Sequence, residues 1–194
     1  MRTRKLLTYA LVSILLVYFL RDTGMAAEDW SMTLYGAKLT GDSLLDTFMM
    51  SSDYDHSYLV ALALSKRFAS FRHYIDWEIE GQAVKHFGYQ HHKEFNGLIV
   101  ARWRPFPWDR YLDTTFAVGE GLSYATETPR FEALQYDETS RLLNYLMFEL
   151  AFSLPEVPQW SVVGRIHHRS GAWGLFNGVH GASNALGLGL RCAF

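Results

Sequence analysis

The last stretch of the chain decides how the rest is read: Ala182-Ser183-Asn184-Ala185-Leu186-Gly187-Leu188-Gly189-Leu190-Arg191-Cys192-Ala193-Phe194. Leu186, Leu188, Leu190, Cys192 and Phe194 share one parity, whereas Ala185, Gly187, Gly189, Arg191 and Ala193 share the other. A period of two sorts residues onto the two faces of a strand, and a helix would scatter them. The chain stops on an aromatic residue.

The same alternation recurs upstream. Ile75, Trp77 and Ile79 alternate with Asp76, Glu78 and Glu80. Tyr58, Val60, Leu62 and Leu64 share a face in Ser57 to Arg67, and Ile99, Ala101 and Trp103 oppose Arg102 and Arg104 in Gly97 to Arg104. Leu146, Phe148, Leu150 and Phe152 oppose Tyr145, Glu149 and Ser153 in Leu142 to Ser153. With Trp30 to Leu39, Thr114 to Ala125, Gln159 to Ser170 and Ala182 to Phe194, these segments make eight strands. Most are ~10 residues long, as tilted strands crossing a bilayer require. The connections after strands one, five and seven are long and polar or glycine-rich, while "ASFRH" and "LPEVPQ" are short. The expected fold is all-β, an eight-stranded antiparallel up-and-down transmembrane β-barrel. Phe194 at the end of an alternating strand resembles the assembly signal of bacterial outer-membrane barrels, which implies the barrel-assembly machinery as a partner.

Charge supports a filled lumen. Asp76, Glu78, Glu80 and Glu149 face one way with Arg102, Arg104, Arg165 and Arg191, so both signs occur equally. Eight strands enclose only enough space for side chains, which predicts a neutral polar plug and no channel. Glu120 breaks the pattern by sharing parity with Phe116, Val118, Leu122 and Tyr124. A bulge near Gly119 or Gly121 is the expected cause.

The first residues read as an export signal: Met1 to Lys5 is basic, Leu6 to Leu20 is apolar, and Gly24 to Ala27 ends in small residues. Residues 1–27 are expected to be a signal peptide cleaved after Ala27, with residues 28–194 the barrel domain. Arg21 and Asp22 leave an uncleaved anchor as the rival reading, although the apolar run is short against the ~20 residues of a spanning helix. A net charge of -2 argues against nucleic acid as a partner, and the single cysteine excludes an intramolecular disulfide framework. Aromatic residues make up 15% of the chain, enough to furnish membrane-interface girdles around such a barrel.

On the seventh strand, Trp160, Val162, Ile166, His168 and Ser170 share one parity, and Val163, Arg165, His167 and Arg169 the other. Arg165 belongs in the lumen, so His168 and Ser170 project from the outer wall. Two residues apart on one strand face, their Cβ atoms lie about 6.5–7 Å apart. A histidine beside a serine hydroxyl is the arrangement that activates the serine as a nucleophile. The bland alternative is a polar strand end meeting lipid headgroups.

"RIHHRSG", the glycine-rich loop after it and "SNALGLGLRCAF" resemble the C-terminal region of the PagL family of lipid A 3-O-deacylases. The resemblance is carried by residues from Trp160 onward and is architectural elsewhere. It implies an outer-membrane location in a Gram-negative bacterium, with lipid A in lipopolysaccharide and membrane lipids as partners. It also implies Ser170 as nucleophile and His168 as its base. The backbone amide near Gly171 is a candidate oxyanion donor. The family's orienting glutamate on the last strand is absent; Asn184 occupies the corresponding outward position, and Glu120 and His180 are the other residues to consider. A non-enzymatic barrel that packs against lipopolysaccharide or a surface partner is the alternative reading.

No cofactor is expected, and a homodimer is left open. Adjacent strand residues point to opposite faces, so neither His91/His92 nor His167/His168 chelates a metal from regular strand geometry. Gly174, Gly178 and Gly181 do not form a phosphate-loop pattern and read as a flexible surface loop.

Overall fold

The computed structural model describes residues 29–135 and 138–194. The expected signal peptide and its cleavage after Ala27 lie outside the described residues. Eight antiparallel strands close into a barrel, each paired with its sequence neighbours and the first with the last. They are β1 (Trp30–Thr40), β2 (Ser57–Phe71), β3 (Ile75–Gly88), β4 (Lys93–Trp103), β5 (Asp113–Ala125), β6 (Leu142–Ser153), β7 (Trp160–Ser170) and β8 (Ala182–Ala193). Two short helices sit in connections, α1 (Leu44–Phe48) after β1 and α2 (Arg130–Gln135) after β5. Among the described residues, no helix is long and apolar enough to cross a membrane.

Residues 41–56, 89–92, 126–135, 138–141 and 171–181 lie at one end, called the loop end. Residues 72–74, 104–112 and 154–159 lie at the other, the turn end, with Trp30 and Phe194. β1, β5, β7 and β8 differ from their sequence-based bounds by a single residue at one end, and β2 and β4 by more. β2 runs on through Phe71, absorbing part of "ASFRH", and its register shifts between Arg67 and Ala69. β4 begins at Lys93, because the apolar alternation seen from Gly97 continues backwards through Phe95.

The bulge expected beside Glu120 does not form. β5 pairs without a register shift with both neighbours, and Glu120 faces Ile99 on one side and Leu146 on the other. The flanking glycines answer to packing instead. A β-carbon on Gly119 would lie 2.5 Å from Leu98 Cδ1, and one on Gly121 only 2.0 Å from the Gly97 carbonyl. Glu120 therefore stays on the outer wall.

That outer wall is apolar. Leu62, Leu64, Ile79, Ile99, Leu188 and Leu190 are all exposed there. Trp30, Trp77 and Trp103 mark its turn-end border, and Tyr58, Phe87 and Tyr124 its loop-end border. An apolar belt between two aromatic girdles is the surface that a bilayer covers.

The lumen is filled by ion pairs, as the balanced charges required. Arg165 donates to Glu80 Oε1 from Nη1 at 2.8 Å and to Glu149 Oε2 from Nε at 2.8 Å. Arg102 bridges Glu78 at 2.7 Å and Glu149 at 2.8 Å, and Arg191 reaches Glu78 at 3.1 Å. Arg102, Arg165 and Glu149 are fully buried, and such charges persist in a low-dielectric interior only when paired and hydrogen-bonded. Arg104 lies just beyond β4, half-exposed at the turn-end mouth, where its Nε meets Asp76 at 2.7 Å.

Candidate active site on the outer wall

The polar residues of β7 and β8 interrupt the apolar belt at the loop end. His168 pairs across the sheet with Leu146 of β6 and Asn184 of β8, and Ser170 with Asn144 and Ala182. His168 and Ser170 are half-buried on the outward parity, whereas Arg165, His167 and Arg169 are buried in the lumen. His168 Nδ1 lies 2.6 Å from Asn184 Oδ1. A carboxamide oxygen only accepts, so this contact places the proton on Nδ1 and leaves Nε2 with its lone pair. That is the tautomer a general base needs.

Asn184 is itself held. It is 2% exposed despite its outward parity, and its Nδ2 donates to the carbonyl of Asp42 at 2.7 Å. The β1–β2 connection folds over the outside of the barrel and covers it. Thr40 anchors that connection by donating to the Asp53 carbonyl at 2.8 Å and accepting from the Asp42 amide at 3.1 Å. Ser43 caps α1 by accepting from the Asp46 amide. The helix then carries Phe48 onto Phe148, on the outer face of β6, with ring centroids 4.7 Å apart. Leu45, Met49 and Met50 remain exposed on this segment.

Ser170 makes no side-chain hydrogen bond among the described residues, to His168 or to any other group. Its neighbour Gly171 is required by close approach, because a β-carbon there would lie 1.8 Å from the Val179 carbonyl. The Gly171 amide already donates to the Gly181 carbonyl at 3.2 Å. Serving as an oxyanion donor would require giving up that bond. The loop after it, read from sequence as flexible, is a succession of hydrogen-bonded turns: Gly174 to Val179 at 3.0 Å, Phe176 to Gly171 at 3.0 Å and Val179 to Phe176 at 3.0 Å.

Glu120 and Asn144 extend the polar patch across β5 and β6, with Asn144 Nδ2 donating to Glu120 Oε1. Glu120 and His168 both pair with Leu146 from opposite sides, which separates them by two strand spacings, about 10 Å. His180 is exposed in the β7–β8 loop.

A second cluster lies inside the loop end and was not anticipated. His86, His92 and Glu94 are buried, with one potential ligand atom of each within 4.8 Å of the others. Reading adjacent histidines as pairs concealed it, because His92 meets residues of the two flanking strands and not His91. The available signal was parity: His86 continues the inward row of Glu80, Gln82 and Val84, and Glu94 opens the inward row of Asn96 and Leu98.

No protein-family model matches the chain, and no curated protein matches it. Solved structures do. The outer membrane enzyme PagL is 14% identical, with a TM-score of 0.51 over 84% of this chain and 99% of its own. Neisserial surface protein A is 13% identical, with a TM-score of 0.52 over 86% of this chain and 97% of its own. A de novo designed transmembrane β-barrel reaches 0.50 at 9% identity, over 89% of this chain and all of the design. The fold is that of an eight-stranded transmembrane barrel. A designed barrel scores as well as an enzyme, so the likeness carries architecture and not chemistry.

Proposed function

We propose that the chain is an outer-membrane ester hydrolase of the lipid A 3-O-deacylase type, acting on lipopolysaccharide in the outer leaflet through Ser170 and His168. The observation that carries this reading is the 2.6 Å contact between Asn184 Oδ1 and His168 Nδ1, with Ser170 two residues along the same outward face. It supplies an oriented base next to a hydroxyl at the depth where acylated sugar headgroups lie. His168 Nε2 takes the Ser170 proton as Oγ bonds to the ester carbonyl carbon. The sugar alkoxide leaves with that proton, and water, deprotonated by the same nitrogen, releases the fatty acid from Ser170. Asn184 acts as a positioning residue. It fixes the tautomer but carries no charge to stabilise the imidazolium.

The expected setting is the outer membrane of a Gram-negative bacterium, reached through the barrel-assembly machinery. Lipid A mass spectrometry on cells with and without the protein tests the activity. Loss of one hydroxyacyl chain, abolished by Ser170→Ala, is the expected result; unchanged lipid A in cells holding the assembled barrel removes the proposal.

A second reading, a non-enzymatic barrel that binds lipopolysaccharide or a surface partner, is favoured by two observations. Ser170 and His168 are not hydrogen-bonded to each other among the described residues, and no carboxylate stands at Asn184. Under that reading the same spectra show intact lipid A.

A further inference from the structure

We propose that His86, His92 and Glu94 bind a divalent first-row transition ion, with zinc the best match, inside the loop end of the barrel. The three come from the end of β3, the β3–β4 connection and the start of β4, so one hairpin supplies the whole set. They are 3%, 4% and 1% exposed, and their ligand atoms lie within 4.8 Å of one another. Two imidazoles and a carboxylate, with a fourth position for water, are a donor set typical of zinc. Bonds of about 2.0–2.2 Å would draw the three atoms to roughly 3.3 Å apart, a contraction within reach of side-chain rotation.

The observation that points to a ligand is His92. Its Nε2 is buried and has no hydrogen-bond partner among the described residues, while its ring stacks on His86 with centroids 4.2 Å apart. A small cavity of about 10 Å³ is lined by His86, His92, Glu94 and His167, roughly the volume of one water-sized occupant. If His92 were only a packing residue, its nitrogen would bear the cost of desolvation with nothing in return. An ion satisfies it.

The surroundings are built to hold the ligands. His86 Nε2 and Glu94 Oε2 lie 2.8 Å apart with the imidazole proton between them, and an ion on Nε2 would shift that proton to Nδ1. The other Glu94 oxygen receives Ser123 Oγ at 3.0 Å and lies 3.0 Å from His167 Nε2. Such outer contacts orient metal ligands. Ion binding leaves the His86 proton on Nδ1, 3.0 Å from the Gln90 carboxamide nitrogen. That carboxamide then turns its oxygen towards His86 and releases the Phe131 amide, which it now receives at 3.2 Å. The ion is thereby coupled to the start of α2, whose Glu132 pairs with the lumen Arg169 at 2.5 Å.

The test is a cobalt titration of the untagged full chain in detergent micelles after chelator treatment. The expected result is one equivalent of Co²⁺ with visible d–d absorption, displaced by Zn²⁺. His92→Ala should weaken binding by about 100-fold or more, at least the effect of losing an outer-sphere contact. His91→Ala, which removes the exposed neighbour, should leave binding unchanged. Absence of a saturable visible band in the unaltered chain overturns the proposal, and that result does not depend on any variant assembling. Equal binding by His92→Ala and the unaltered chain overturns it too.

Discussion

The two faces of β7 are built from similar residues for different ends. On the inner face, Arg165 and Arg169 are buried with acidic partners, Glu80, Glu149 and Glu132. Between them, His167 Nδ1 lies 3.0 Å from the Tyr35 hydroxyl and 3.1 Å from that of Tyr145. On the outer face, His168 has one described partner, and Ser170 makes no side-chain hydrogen bond among the described residues. Arg165 and Arg169 are paired because an unpaired charge in the lumen would destabilise the barrel. The outer ones keep a base nitrogen and a hydroxyl unspent. Polar groups left with spare bonding capacity on a wall otherwise made for lipid contribute little to folding, and they are where chemistry should be sought.

The sharpest way to break this contrast is Ser170→Ala. The proposed deacylation should fall by up to on the order of 10⁶-fold, as for removal of a serine nucleophile elsewhere. Stability in urea should change by less than about 0.5 kcal/mol. A large loss of stability with intact activity would mean that the outer face is structural after all.

Asn184→Ala comes next, with turnover per assembled barrel expected to drop by as much as ~10⁴-fold through loss of the correct tautomer. Asn184→Glu should raise turnover by supplying the negative charge that stabilises the imidazolium, at some loss of assembled yield. If neither changes the rate while Ser170→Ala abolishes it, Asn184 does not orient His168.

Arg165→Met tests the other side of the strand. It leaves Glu80 and Glu149 short of their shared partner and should cost about 3–5 kcal/mol, read as a lower urea midpoint for the heat-modifiable band on gels. Deacylation per folded molecule should stay near normal. The smallest expected effect belongs to Phe48→Ala, which removes the edge-on contact with Phe148 and should cost about 0.5–1.5 kcal/mol. Loosening of α1 should also raise amide exchange at Asp42, next to the carbonyl that holds Asn184. Unchanged exchange there would mean that the segment is anchored by Thr40 alone.

The barrel itself was legible in the chain. Alternation is local: each side chain's face follows from its neighbours' parity, and lipid outside with a narrow polar lumen inside makes the two parities chemically different. Leu142–Ser153 could be read from sequence to the residue, and so could the inward row of Arg165, His167 and Arg169. The expected bulge at Glu120 was wrong because parity was taken as inviolable there; the register simply carries a carboxylate to the outside, where Asn144 donates to it.

What parity cannot reach is contact between residues far apart in the chain. The burial of Asn184 under Asp42 and the reach of Phe48 across to Phe148 depend on how the β1–β2 connection folds back over the wall. The meeting of His86, His92 and Glu94 depends on the β3–β4 connection turning one histidine inward and its neighbour out. Strand periodicity specifies which side a residue faces. Only closure of the sheet and the path of its loops specify what it faces.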